Sequence, residues 1–179
     1  MTAIPKVCSW CKADLGTVEG DFDMKYPVTH GMCANCARVV AENPDAKTFQ
    51  EFLDGFGIPL MVVDGENLVL AASRQVKDLL GKESPRVVGR HFGDVIECPN
   101  ARLAGGCGKT LHCQSCVIRK TVLKTHQTGE GCFLVPAYPD VQIGSKVKTL
   151  SMKITAEKVG TCVLLWIEEM RTLEKVELD

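Results

Sequence analysis

Val147-Lys148-Thr149-Leu150-Ser151-Met152-Lys153-Ile154-Thr155, followed after a break by Thr161-Cys162-Val163-Leu164-Leu165-Trp166-Ile167, decides the fold class. In the first run Leu150, Met152 and Ile154 alternate with Thr149, Ser151 and Lys153, the period of two expected of a strand with one face in a core. The second run is continuously apolar, too short for the roughly 20 residues that cross a bilayer, and rich enough in branched and aromatic side chains to read as a buried strand. Cys132–Ala137 is a third strand candidate just upstream. Further back, Ile58–Val63 and Asn67–Ala72 flank Asp64-Gly65 and read as a hairpin. Between these strands lie helical patterns. Phe49, Phe52, Leu53 and Phe56 fall at i, i+3, i+4 and i+7, with Thr48 and Glu51 spaced as a capping box. Ser73 is placed to cap a helix whose Val76, Leu79 and Leu80 face inward and which Gly81 stops. A short helical piece covers His91–Ile96, and Ile118, Thr121, Val122 and Thr125 form one face of a longer helix closed by Gly129. A hairpin, then helices, then a meander predict an α+β fold: a five-stranded antiparallel sheet with helices on one face.

The composition is that of a folded protein. Of 179 residues, 45% are hydrophobic and 24% charged, which argues against wholesale disorder. The net charge of −1 offers no global field for nucleic acid. Residues 97–130 hold five Arg and Lys against two Glu, a local surplus that reads as a solvated helix face or as counter-charge to thiolates. With no signal-peptide core and no bilayer-length apolar run, the chain reads as soluble and cytoplasmic, with no membrane partner. No phosphate-binding glycine loop and no GxSxG elbow occurs, and His91, His112 and His126 lack catalytic spacing, so no enzyme activity is expected. The Ala41–Lys47 stretch, polar and broken by Pro44, reads as a linker. It divides the chain into a module at 1–40, a linker at 41–47, a second domain at 48–170 and a tail at 171–179.

Ten cysteines in a cytosolic chain point to metal or redox chemistry and not to a disulfide frame. Eight form two groups, while Cys132 and Cys162 sit in strand candidates and read as small core residues. Cys8-x2-Cys11 and Cys33-x2-Cys36 are two knuckles of the kind that brings four thiolates to one tetrahedral Zn²⁺, and metal binding would supply folding energy to so small a module. His30 beside the second knuckle reads as a loop bystander. The second group is Cys98, Cys107, Cys113 and Cys116, inside the loop 97–116. Gly105, Gly106 and Gly108 let backbone N–H groups approach sulfur there, and Cys116 begins a helix whose positive end favours thiolate. Four cysteines suit an iron–sulfur cluster or a second Zn²⁺ equally in ligand count, and a metal-free thiol/disulfide switch uses the same residues. A thioredoxin-like use of Cys113-x2-Cys116 lacks its βαβ context.

The order Phe52-Leu53-Asp54, Val62-Val63-Asp64-Gly65, Leu70-Ala71-Ala72, Leu79-Leu80-Gly81, Val88-Gly89-Arg90 and Val163–Met170 resembles a PAS sensor domain over residues 48–170. Cys8-Ser9-Trp10-Cys11 with His30-Gly31-Met32-Cys33 resembles a zinc-ribbon or treble-clef module of bacterial-type signalling proteins. Where many PAS domains bind flavin or haem in a polar pocket, this chain carries the cysteine-rich loop. The resemblance implies a regulatory signal-transduction sensor in which an iron–sulfur cluster or another cysteine centre reports redox state, oxygen or metal. Its output would reach a signalling partner in trans, such as a kinase or regulator. A protein-binding adaptor with two structural zinc ions is the alternative. The apolar stripe of Phe49, Phe52, Leu53 and Phe56 is wider than a sheet edge covers, so two copies are expected to pair through it as a homodimer.

Overall fold

The two runs that open the reading of the sequence form one long hairpin in the computed structural model, which describes residues 2–22, 28–42, 46–81 and 86–173. In chain order the strands are β1 (Thr2–Cys8), β2 (Asp14–Gly20), β3 (Thr29–Gly31), β4 (Leu60–Val63), β5 (Val69–Ala72), β6 (Cys132–Ala137), β7 (Asp140–Ile143), β8 (Lys146–Val159) and β9 (Cys162–Leu173). The helices are α1 (Ala34–Glu42), α2 (Ala46–Asp54), α3 (Arg74–Leu80), α4 (Phe92–Val95) and α5 (Val117–Thr128). Strands β8 and β9 turn at Gly160, whose φ of 59° favours glycine, and pair from Val159 opposite Cys162 outward. The main sheet runs β5-β4-β9-β8-β6, and every neighbouring pair is antiparallel. Strand β7 adds to the first half of β8. The sequence pattern does not reveal it, because Asp140-Val141-Gln142-Ile143 is short and half polar.

The apolar run in β9 is continuous because both faces of the sheet are covered. Val163, Leu165 and Ile167 join one core with Val76 of α3, Phe92 and Val95 of α4, and Ile118 and Val122 of α5. This is the expected layer of helices. Leu164 and Trp166 point the other way, into a second core made by Phe52, Leu53 and Phe56 of α2 together with Cys8 and Cys36. Each large side chain buried here contributes about 1.5–3 kcal/mol relative to exposure. Phe52, Leu53 and Phe56 are thus buried within their own chain. They do not offer the pairing surface from which a homodimer was expected.

Local signals account for most boundaries. Gly81 and Gly129 close α3 and α5 in left-handed conformations, as read from the sequence. Ser73 stands at the N-cap of α3 but makes no cap bond. Its Oγ accepts from the Leu60 N–H at 3.0 Å and donates to the Ile58 carbonyl at 3.3 Å, tying α3 to the start of β4. Helix α2 begins at Ala46, two residues before the expected capping box, and the Thr48 side chain lies outside the described residues. So do residues 43–45 of the linker and residues 174–179 of the tail.

Candidate metal centres

The N-terminal module is a three-stranded sheet, β2-β1-β3, in which β1 and β2 are antiparallel and β3 runs parallel to β1. The first knuckle is the turn between β1 and β2, where Lys12 adopts a φ of 61° and its N–H donates to the Cys8 carbonyl. The second lies between β3 and the first turn of α1. This brings the sulfurs of Cys8, Cys11, Cys33 and Cys36 within 4.8 Å of one another. Cys11 and Cys33 are 3.8 Å apart, and a tetrahedral zinc with Zn–S bonds of about 2.3 Å separates its sulfurs by about 3.8 Å. The Cys33 N–H donates to Cys8 Sγ at 3.5 Å and the Cys36 N–H to Cys33 Sγ at 3.4 Å, the backbone support that coordinating thiolates require. Burial raises the Cys8 pKa, but backbone donors at Cys33, Cys11 and Trp10 outweigh it and bring the thiol down to about 7. Burial and the three neighbouring sulfurs push Cys36 the other way. Four thiols crowded this closely favour a shared cation over four separate charges.

His30 is not turned toward the sulfurs. Its Nδ1 lies 2.6 Å from Glu168 Oε2, and its N–H and the Thr29 hydroxyl donate to Glu168 Oε1, both at 3.3 Å. Glu157 pairs with Lys6 and accepts from the Met32 N–H at 3.2 Å. Two carboxylates from β9 and β8 therefore clamp the segment between the knuckles onto the main sheet. Trp10, inside the first knuckle, stacks on Phe52 of α2 with ring centroids 3.9 Å apart.

The second group behaves differently. Cys98, Cys107, Cys113 and Cys116 all line one cavity of about 320 Å³ on the helical side of the sheet, floored by Phe92, Ile96 and Ile118. Their sulfurs do not converge as the first four do; among the described residues only the N-terminal group meets the spacing for a single ion. The loop reaches the cavity through short 3-10 turns at Pro99–Arg102 and Leu111–Gln114, with Gly105, Gly106 and Gly108 all at positive φ. As expected of the glycines, the Gly108 N–H reaches Cys113 Sγ, at 3.2 Å, and Thr110 Oγ1 lies 3.1 Å from the same sulfur. Burial raises the Cys113 pKa, yet these bonds and Arg119 outweigh it and hold the thiol below its ordinary value. Cys107 is pushed up to about 11, chiefly by burial and then by the charges of Cys113, Asp94 and Cys116, with only a backbone bond at Gly93 opposing.

Cys116 is the N-cap of α5, as the sequence indicates. Cys132 and Cys162 occupy half-buried strand positions, packed against the two cores. Sequence reasoning missed three residues of this site, Asn67, Gly93 and Thr110, while Arg119 belongs to the basic surplus read as a helix face or counter-charge to thiolates. Thr110 carried a usable signal, since it lies three residues before Cys113 at the start of a turn. Asn67 and Gly93 reach the cavity from other elements and carried none.

No family model and no curated protein matches the chain. Solved structures do. The chain is similar to PAS domains. The PAS domain of BvgS from Bordetella pertussis is 17% identical over 75% of this chain and 91% of that one, with a TM-score of 0.42. The PAS domain of an HTR-like protein from Haloarcula marismortui is 12% identical over 76% and 98%, with a TM-score of 0.43. That of nitrogen regulation protein NR(II) from Vibrio parahaemolyticus is 11% identical over 69% and 96%, with a TM-score of 0.41. No helix among the described residues is long and apolar enough to cross a membrane.

Proposed function

We propose that this chain is a cytoplasmic regulatory sensor without catalysis of its own, in which the N-terminal cysteines hold a structural zinc and the cavity cysteines hold an iron–sulfur cluster. The observation that carries the reading is the contrast between the two groups. Four sulfurs packed at single-ion spacing suit zinc. Four sulfurs spread around a cavity of about 320 Å³ suit a centre of several metal atoms, whose bridging sulfides hold the terminal thiolates further apart. A cluster bound there would supply one-electron redox chemistry and sensitivity to oxygen. The chain's own residues provide the rest: Gly108 and Thr110 stabilise the Cys113 thiolate, Gly93 makes room for Cys107, and Cys116 joins the site to α5. A change of the loop 97–116 would thereby move α5 against the sheet and signal to a protein partner in trans.

The test is metal analysis of protein purified without oxygen. The expected sample is brown, holds iron and acid-labile sulfide besides about one zinc per chain, and bleaches in air. A colourless sample with about two zinc ions would replace the sensor with a zinc-structured adaptor. About one zinc with oxidisable thiols and no iron would leave a disulfide switch.

A further inference from the structure

Asn67 is 3% exposed, lines the cysteine cavity, and its Oδ1 has no hydrogen-bond partner. A buried amide oxygen without a partner is destabilising, so its presence calls for a reason. The backbone supplies half of one. Asn67 lies within the turn in which Asp64 Oδ1 accepts from the Glu66 and Leu68 N–H groups, and its φ of 66° is a conformation that asparagine tolerates better than most residues. Glycine would serve that backbone at least as well and would bury no polar group. The side chain is what the turn leaves unexplained.

The opposite wall supplies the other half. The first residues of α5, Cys116, Val117 and Ile118, line the same cavity, and the N-cap Cys116 makes no side-chain cap bond, so no cap side chain neutralises the positive end of the helix there. Arg119 lines the cavity as well. A cavity whose four ligands are thiolates accumulates negative charge as it fills, and free amides, a guanidinium and a carboxamide are the groups that offset it. No hydrogen bond fixes the Asn67 Oδ1, so a rotation about χ2 that presents the N–H₂ to an anionic occupant would break none at that atom.

We propose that Asn67, Arg119 and the uncapped first turn of α5 form an electropositive wall that faces the bound centre and sets its reduction potential. The inference rests on the cluster reading above. Donors and positive charge facing a cluster favour its more negative, reduced form, so removing them lowers the potential. Asn67 and Arg119 are positioning residues in this scheme, and neither is a ligand.

The experiment is a redox titration of the anaerobically purified full chain, followed by electron paramagnetic resonance. Asn67→Gly keeps the left-handed backbone while deleting the carboxamide, Asn67→Asp adds negative charge, Arg119→Gln removes the guanidinium, and Arg119→Lys retains a positive charge. Asn67→Gly and Arg119→Gln are expected to lower the midpoint potential, Asn67→Asp to lower it further, and Arg119→Lys to stay near the wild type. Should Arg119→Gln lose the cluster outright, retention in Arg119→Lys supports the charge argument, and loss in both overturns it. A brown wild type whose variants keep its potential and resonance signals refutes the wall and leaves the cluster reading standing. A colourless wild type removes both.

Discussion

At Gly93 the space for a side chain is already taken. A Cβ there would lie 2.6 Å from Cys107 Sγ and 3.2 Å from its Cβ, and the backbone shows no positive φ that would otherwise demand glycine. The residue is glycine because a cysteine from the loop occupies its side-chain volume. Gly93→Ala is expected to displace Cys107, lowering stability by about 1–3 kcal/mol through overpacking and reducing the iron bound per chain. Urea unfolding and iron analysis check the two effects, and full iron content in the variant would contradict the placement of Cys107. The eight cysteines were legible in the sequence because ligand chemistry is carried by residue type and short spacing. Gly93 was not, since its reason lies across the cavity in a separate segment. Ser73 shows the intermediate case: its position at the start of α3 was legible, but its hydroxyl serves the buried N–H of Leu60, which only the packing of α3 on β4 reveals.

The elements divide in the same way. Helix α5 was read in full, from its cap at Cys116 to Gly129 and with Ile118, Thr121, Val122 and Thr125 buried, because a helix packed on one side prints its period in the sequence. Strand β9 was legible as a strand, but its unbroken apolar run did not say what covered each face. Polar contacts supplement the apolar packing of the second cover: Glu168 and Glu157 on β9 and β8 hold the segment Thr29–Met32 between the knuckles. The Glu168 side chain is 5% exposed and that of His30 18%, so their contact is largely withdrawn from solvent. Glu168→Gln keeps an oxygen for Thr29 and the His30 N–H but loses the charge. It is expected to cost about 1.5–3 kcal/mol, in the range of hydrogen bonds to charged groups. Thermal unfolding measures the loss. An unchanged melting temperature, with zinc retained, would mean that the clamp contributes nothing to docking the module.

On the scale of the whole chain the two halves share a core, which the polar break around Pro44 gave no reason to expect. Cys8 and Cys36 are buried in one cluster with Phe52, Phe56, Leu164 and Trp166, so the four-cysteine site is part of the packing behind the main sheet. Zinc bound to small cysteine modules contributes apparent free energies of about 10–16 kcal/mol, and here part of that would hold a sheet face closed as well as folding residues 1–40. The sequence reading assigns the metal's folding energy to the small module itself. The shared core predicts a wider effect. Stripping zinc with a chelator under reducing conditions should hydrate Trp166 and unstack Trp10 from Phe52, shifting tryptophan emission to the red. Hydrogen exchange should accelerate at the backbone amides of β4 and β9 while those of α5, on the far side of the sheet, change less. Removal of zinc that exposes β1 to β3 but leaves the protection of β9 intact would show that the module only rests on the sheet. Accelerated exchange in β9 would show that the state of the N-terminal centre reaches the strand whose other face packs against α4 and α5.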